Sequence, residues 1–124
     1  MADESGPTID QAVLDGVLDS VGGDAAFVAD LVGTYLSDAP TQLAAIDDAV
    51  ESRDAAAIVR PAHTLKTGSL TIGAMRLGEM CRSLEQLGRA ERLDGVAEAA
   101  RAIRGEFETV RSELRSWVAT RKGS

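Results

Sequence analysis

The stretch DGVAEAARAIRGEFETVRSELRSWVA, Asp94 to Ala119, places Val96, Ala100, Ile103, Phe107, Val110, Leu114 and Trp117 at alternating spacings of four and three. Apolar residues at that period fall on one stripe of a helix, and a stripe this long needs facing helices inclined only slightly to it. A free coiled coil would satisfy the same spacing. The rest of the chain decides between the two, because other segments bring matching stripes and are joined by short connections. An all-helical bundle is the architecture that buries them together.

Upstream, Thr8 and Gln11 have the spacing of a capping box and open a short helix through about Val21, which Gly22 and Gly23 stop. Asp24 can cap a second helical region carrying Phe27, Leu31, Tyr35, Ala39, Leu43, Ile46 and Val50. Pro40 removes one backbone donor there, which leaves open one bent helix or two. Asp54 is the cap expected for a third segment, which ends near Gly73 and contains Pro61. From Ala74 to about Ala90, Leu77, Met80, Cys81, Leu84 and Leu87 share one face, with Arg82, Glu85 and Arg89 toward its margin or outside.

The expectation is an all-α, antiparallel up-down four-helix bundle with an additional short N-terminal helix. Residues 1–7 read as a flexible lead, 8–119 as the bundle, and 120–124 as a flexible tail. No internal repeat or low-complexity linker divides the chain.

At 124 residues and 13.0 kDa, with 44% apolar residues, the chain suffices for one modest core. Trp117, Tyr35, Phe27 and Phe107 are its only aromatic residues, so that core is built mainly from Ala, Val, Leu and Ile. A formal charge of −7 and a pI near 4.6 argue against nucleic acid as the main partner, since phosphate backbones are bound by clustered cations. No run approaches the roughly 18 apolar residues of a spanning helix, so no membrane insertion is expected. The acidic start MADESGP is unlike a signal, and Cys81 is alone, which fits a reducing cytoplasm.

His63 is the only histidine. On a helix advancing about 100° per residue, Ile58, Ala62, Leu65, Ser69 and Ile72 form a narrow apolar stripe, and His63 lies roughly 140° from its centre. The imidazole therefore points outward or into a groove between helices. Lys66 and Thr67 follow at i+3 and i+4, where helical side chains become neighbours, and Val59 and Leu70 border the same face. An isolated imidazole beside an exposed lysine is a candidate reactive group.

Several chemistries lack their residues. One histidine and one cysteine do not supply a nitrogen and sulfur ligand set, the GluxxHis pair of di-iron bundles is missing, and no intrinsic metal or other cofactor is expected. GxSxG, GxxxxGK[ST] and a kinase Gly-rich loop are absent, and Cys81 sits on an apolar stripe as a core filler would.

The segment AHTLKTGSLTIGAMRLGEMCRSLEQLGR, Ala62 to Arg89, resembles the signature of the histidine-containing phosphotransfer (HPt) domain family, commonly AHxLKGxxxxxGxxxLxxxCxxLExxxR. The likeness extends from about Ile9 to Leu114. It implies a monomeric bundle that accepts a phosphoryl group on histidine from one receiver-domain aspartate and passes it to another. The implied partners are response-regulator receiver domains and a hybrid sensor histidine kinase. His63 matches the phosphorylated residue, Lys66 the lysine that balances phosphate charge, and Glu85 a position whose side chain can hold the imidazole. Arg89 falls at a basic position near the same site, and Val59, Thr67, Gly68 and Leu70 lie on the implied docking surface. The family usually has glycine directly after the lysine; this chain has Thr67 there and glycine next, at Gly68.

On this resemblance the protein is a phosphocarrier and co-substrate with no autonomous kinase activity, and the divalent cation needed for transfer belongs to the receiver's acidic pocket. Two other readings stay open at this point. One is a receiver-binding module that carries no phosphate. The other is a sensor-kinase dimerisation domain, which Thr64 disfavours because that class follows its histidine with an acidic residue.

Overall fold

The computed structural model describes residues 8–122, with the side chain of Lys122 left aside, so the expected lead 1–7 and residues 123–124 lie outside the described part. It contains five helices, α1 (Gln11–Ser20), α2 (Ala25–Glu51), α3 (Ala55–Thr71), α4 (Met75–Arg89) and α5 (Val96–Lys122), and no strand among the described residues. Helix α2 packs on α3 and α5, and α4 packs on α3 and α5, so the four long helices close a ring with alternating directions. Phe107, Ile46, Ile58, Leu65, Leu77, Leu84, Ile103 and Leu114 fill its axis. Helix α1 covers one end, burying Leu14 completely, and Asp15 there accepts from Arg121 at 3.1 Å.

Aspartates start three of these helices. Asp10, Asp24 and Asp54 each accept at 3.1 Å from a backbone N–H of the first turn, those of Ala12, Phe27 and Ala57, satisfying donors that have no partner inside the helix. The cap of α1 differs from the expected Thr8 box. Asp10 takes that place because its own N–H is held by Gly73 O at 2.8 Å, which ties the start of α1 to the α3–α4 turn and leaves Thr8 buried. Gly73 has φ +90°, and a side chain there would lie 2.7 Å from Asp10 O, so this crossing requires glycine.

Helix α2 is continuous through Pro40, which answers the question left open above. The proline is exposed, and the carbonyl its ring leaves without a donor is that of the half-buried Leu36. Pro61 is buried, but the carbonyl it deprives belongs to the exposed Ala57. The buried stripe of α2 runs through Val28, Val32, Tyr35, Ala39, Leu43, Ile46 and Ala49, and Phe27 is 49% exposed, against the expected stripe from Phe27 to Val50. Four successive steps of four residues drift around the helix by about 40° each, so a stripe begun at Phe27 leaves the core. The seven-residue seam expected in α5 is buried throughout. That helix runs past Ala119 to Lys122, so residues 120–122 of the anticipated tail are helical.

Two glycines of α4 set the α3–α4 distance. A Cβ on Gly78 would collide with Leu70, and one on Gly88 would stand 2.9 Å from Ala55 O and 3.0 Å from Val59 Cγ2. With hydrogen in place of a side chain at both points, α3 comes close along most of α4's length. Glu85 lies between those glycines.

Candidate functional site

His63 stands midway along α3 with 53% of its side chain exposed, in agreement with its angular position on the helix. The other half faces α4. There Glu85, expected at the margin of that helix, is buried to 5% exposure. The close α3–α4 approach explains the difference, because a margin residue of α4 becomes an interface residue when the neighbouring helix lies this near.

Three groups converge on the Glu85 carboxylate. Its Oε2 is 3.1 Å from His63 Nδ1 and accepts from Arg89 Nη2 at 2.8 Å and Nε at 3.2 Å. Its Oε1 is 2.9 Å from Lys66 Nζ. Burial alone would raise the carboxyl's proton affinity, but the hydrogen bonds from Lys66, Arg89 and His63 and the Lys66 charge outweigh it and push the pKa down to about 2. The group is therefore a carboxylate throughout the neutral range and only accepts hydrogen bonds. The neutral imidazole then carries its proton on Nδ1, and Nε2 keeps an unshared pair on the open side of the ring.

Lys66 corrects the reading from sequence, which took it as an exposed surface lysine. Only 16% of its side chain is exposed, and its ammonium is held against the buried carboxylate. Arg89 is 61% exposed and borders the site as expected. Val59 and Leu70 are half-buried against Gly88 and Gly78, so each spends part of its surface on the α3–α4 contact. Thr67 is exposed on the imidazole's face of α3. Gly68 turns toward α2 instead, where a Cβ would lie 3.2 Å from Tyr35 Cδ1.

Behind the site, Tyr35 and Ser69 share a buried hydrogen bond of 2.8 Å between α2 and α3, and burial pushes the Tyr35 phenol up. Cys81 is fully buried, which pushes its thiol up to about 12 and suits a core filler rather than a nucleophile. Among the described residues no group of three or more His, Cys, Asp or Glu side chains could hold a metal ion, and no helix is long and apolar enough to cross a membrane. Sequence reasoning brought together His63, Lys66, Glu85 and Arg89, but it missed Gly78 and Gly88. Their ten-residue spacing on α4 brackets Glu85 and was the available signal.

The arrangement can present one ring nitrogen to a visitor, hold the opposite nitrogen, and supply a buried counter-charge to the ring. The model of the Hpt domain family matches residues 30–113. The crystal structure of histidine-containing phosphotransfer protein B (HptB) from Pseudomonas aeruginosa PAO1 superposes with a TM-score of 0.84 at 27% identity, covering 93% of this chain and 97% of that one. The histidine-containing phosphotransfer protein ZmHP2 from maize superposes with a TM-score of 0.81 at 22% identity, covering 96% of this chain and 88% of that one, a likeness of fold. No curated protein sequence matches the chain.

Proposed function

The chain belongs to the Hpt domain family, the histidine phosphotransfer proteins of two-component phosphorelays, and from that premise we propose that its phosphoryl acceptor is Nε2 of His63. The observation that carries the reading is the pairing of Nδ1 with the ionised Glu85 at 3.1 Å on a ring whose other edge is open to solvent.

In the forward step Nε2 attacks the phosphorus of a receiver aspartyl phosphate in line with the bond to the aspartate oxygen. The nitrogen–phosphorus bond forms as the phosphorus–oxygen bond breaks, and the aspartate leaves as a carboxylate. The ring gains positive charge while Nδ1 keeps its proton, and Glu85, already ionised and 3.1 Å away, stabilises that charge without reorganising. The second transfer reverses the sequence toward another receiver. Such transition states are loose, so positioning and charge contribute most of the rate.

Lys66 holds the carboxylate in place and, one helical turn from His63, can turn its ammonium toward the arriving phosphoryl oxygens. Glu85 thus orients the imidazole, while Lys66 and Arg89 serve the charge. Val59, Thr67 and Leu70 belong to the surface around the ring that meets the receiver, and Gly68, set against Tyr35 of α2, lies at its back rather than in it. The divalent cation comes with the receiver's carboxylate pocket, and this chain supplies no cofactor of its own. The partners in this reading are receiver domains and the hybrid kinase that feeds them, the protein works as a monomer in the cytoplasm, and it is a co-substrate rather than a kinase.

The test is transfer of radiolabel from a phosphorylated receiver domain. The expected product is one acid-labile, base-stable phosphoryl group, lost in His63→Gln. Label retained by that variant, or binding of the receiver without any transfer, would contradict the proposal.

A further inference from the structure

Charge is distributed very unevenly along this chain. Residues 1–52 hold eleven acidic residues and no Lys or Arg, whereas residues 53–124 hold all thirteen Lys and Arg against nine acidic residues. Folding pairs some of these charges, Asp47 with Arg104 and Asp15 with Arg121, but leaves the helix of His63 free of acids. Helix α2 carries Asp30, Asp38, Asp47, Asp48 and Glu51 with no cation, while α3 carries Arg60 and Lys66 with no acid. Arg60, exposed one turn before His63, makes no ion pair among the described residues. On α4, Arg82 and Arg89 stand one turn to either side of Glu85, both with exposed side chains. Arg82 is drawn partly toward Glu79, at 3.1 Å, and the Glu85 charge is already met by Lys66 and Arg89. The helix turns around the imidazole therefore carry a ring of four cations with only Glu79 and Glu85 among them, a local excess of positive charge on a protein whose formal net charge is −7.

We infer that this cationic ring steers an acidic partner surface onto His63, against the repulsion of the protein's own net charge. The inference rests on reading His63 as the acceptor, and it names the chemistry of the partner's rim. A pocket that holds an aspartyl phosphate with a divalent cation must cluster carboxylates. Such a rim is repelled by a −7 body taken as a point, and attracted by the face it meets. At about 0.1 M ionic strength charges are screened beyond about 10 Å, so the charges one turn from the ring outweigh those on the far helices.

The two views predict opposite responses to salt. Steering by the local ring makes phosphotransfer slow as salt rises, whereas repulsion by net charge makes it accelerate. The measurement is the second-order rate of transfer, under limiting concentrations, from a phosphorylated receiver domain that labels the wild-type protein, between 50 mM and 0.5 M NaCl. The wild-type rate should fall with salt. Arg60→Glu combined with Arg82→Glu should lose about five-fold at 50 mM and less than two-fold at 0.5 M. Arg101→Glu combined with Arg115→Glu changes the net charge equally on the exposed side of α5, across the bundle from α3, and should stay within about two-fold throughout.

A rate that is flat or rises with salt would overturn the inference, as would equal losses in the two double variants. The wild-type salt response decides the matter even where a variant folds poorly. Failure of every receiver domain to label the wild-type protein would overturn the acceptor reading and the inference with it, whereas labelling with the wrong salt response overturns the inference alone.

Discussion

Replacing Glu85 by glutamine removes one charge while keeping the shape, and its cost follows from the site geometry. The carboxyl has an ordinary pKa of 4.5 and is held at about 2 in the folded protein, with burial opposing ionisation and the Lys66, Arg89 and His63 hydrogen bonds overcoming it. At about 1.4 kcal/mol per pH unit this corresponds to about 3 kcal/mol in favour of the folded state, reduced to about 2–3 kcal/mol because the Arg89 arm is exposed and screened.

The sign is that of a depressed acid. The stabilisation is complete above the unfolded-state value near 4.5 and is lost as pH falls from there toward 2. Urea denaturation followed by Trp117 fluorescence and far-ultraviolet circular dichroism, from pH 7 down to pH 3, should show Glu85→Gln less stable by about 2–3 kcal/mol at neutral pH. That difference should hold to about pH 5 and more than half of it should be gone at about pH 3, where the wild-type carboxylate no longer gains fully from folding. A variant as stable as wild type at pH 7, or a difference unchanged at pH 3, would refute the description of Glu85 as the ionised hub of the site.

Other perturbations separate the remaining parts of the account. Lys66→Ala should slow transfer and also cost about 1–3 kcal/mol in urea denaturation, because it leaves a buried carboxylate short of a partner; an exposed lysine would cost almost nothing. Gly88→Ala pushes a methyl against Ala55 O and Val59 and should lower stability by about 1–3 kcal/mol, whereas Gly105→Ala, in open space on α5, should raise it by up to about 1 kcal/mol, both read by thermal unfolding. Cys81 should resist a thiol reagent such as dithionitrobenzoate in the native protein and react promptly in urea, because its sulfur is buried with its pKa pushed up to about 12.

The bundle was legible in the sequence wherever one physical signal acted alone. The α5 seam, the aspartates before α2 and α3 and the glycine after α3 all express local rules, a repeat period, a cap or a positive φ. The readings that failed are those where a distant contact or an accumulated drift decided the outcome. Thr8 lost the cap of α1 to Asp10 because Gly73 O holds the Asp10 N–H across the bundle end. Phe27 was read onto the helical spacing of α2, and the drift of successive four-residue steps carries it out of the core to 49% exposure.

At the site, the angle of His63 on its helix was sufficient to predict its exposure, and the family signature pointed to Lys66, Glu85 and Arg89. The depth of Glu85 and the shielding of Lys66 depend on how near α3 approaches α4. That distance is set by Gly78 and Gly88, whose effect is a missing side chain and leaves no apolar pattern in the sequence.

The proposed mechanism requires Glu85 to hold Nδ1 of His63 so that Nε2 accepts the phosphoryl group. With one histidine in the chain, two-bond nitrogen–proton correlation spectra of protein labelled with nitrogen-15 histidine report a single ring. On this account the neutral form of the ring carries its proton on Nδ1 before transfer, and phosphorus couples to Nε2 after it. A ring protonated on Nε2, or a phosphoryl group found on Nδ1 or on another residue, would contradict it.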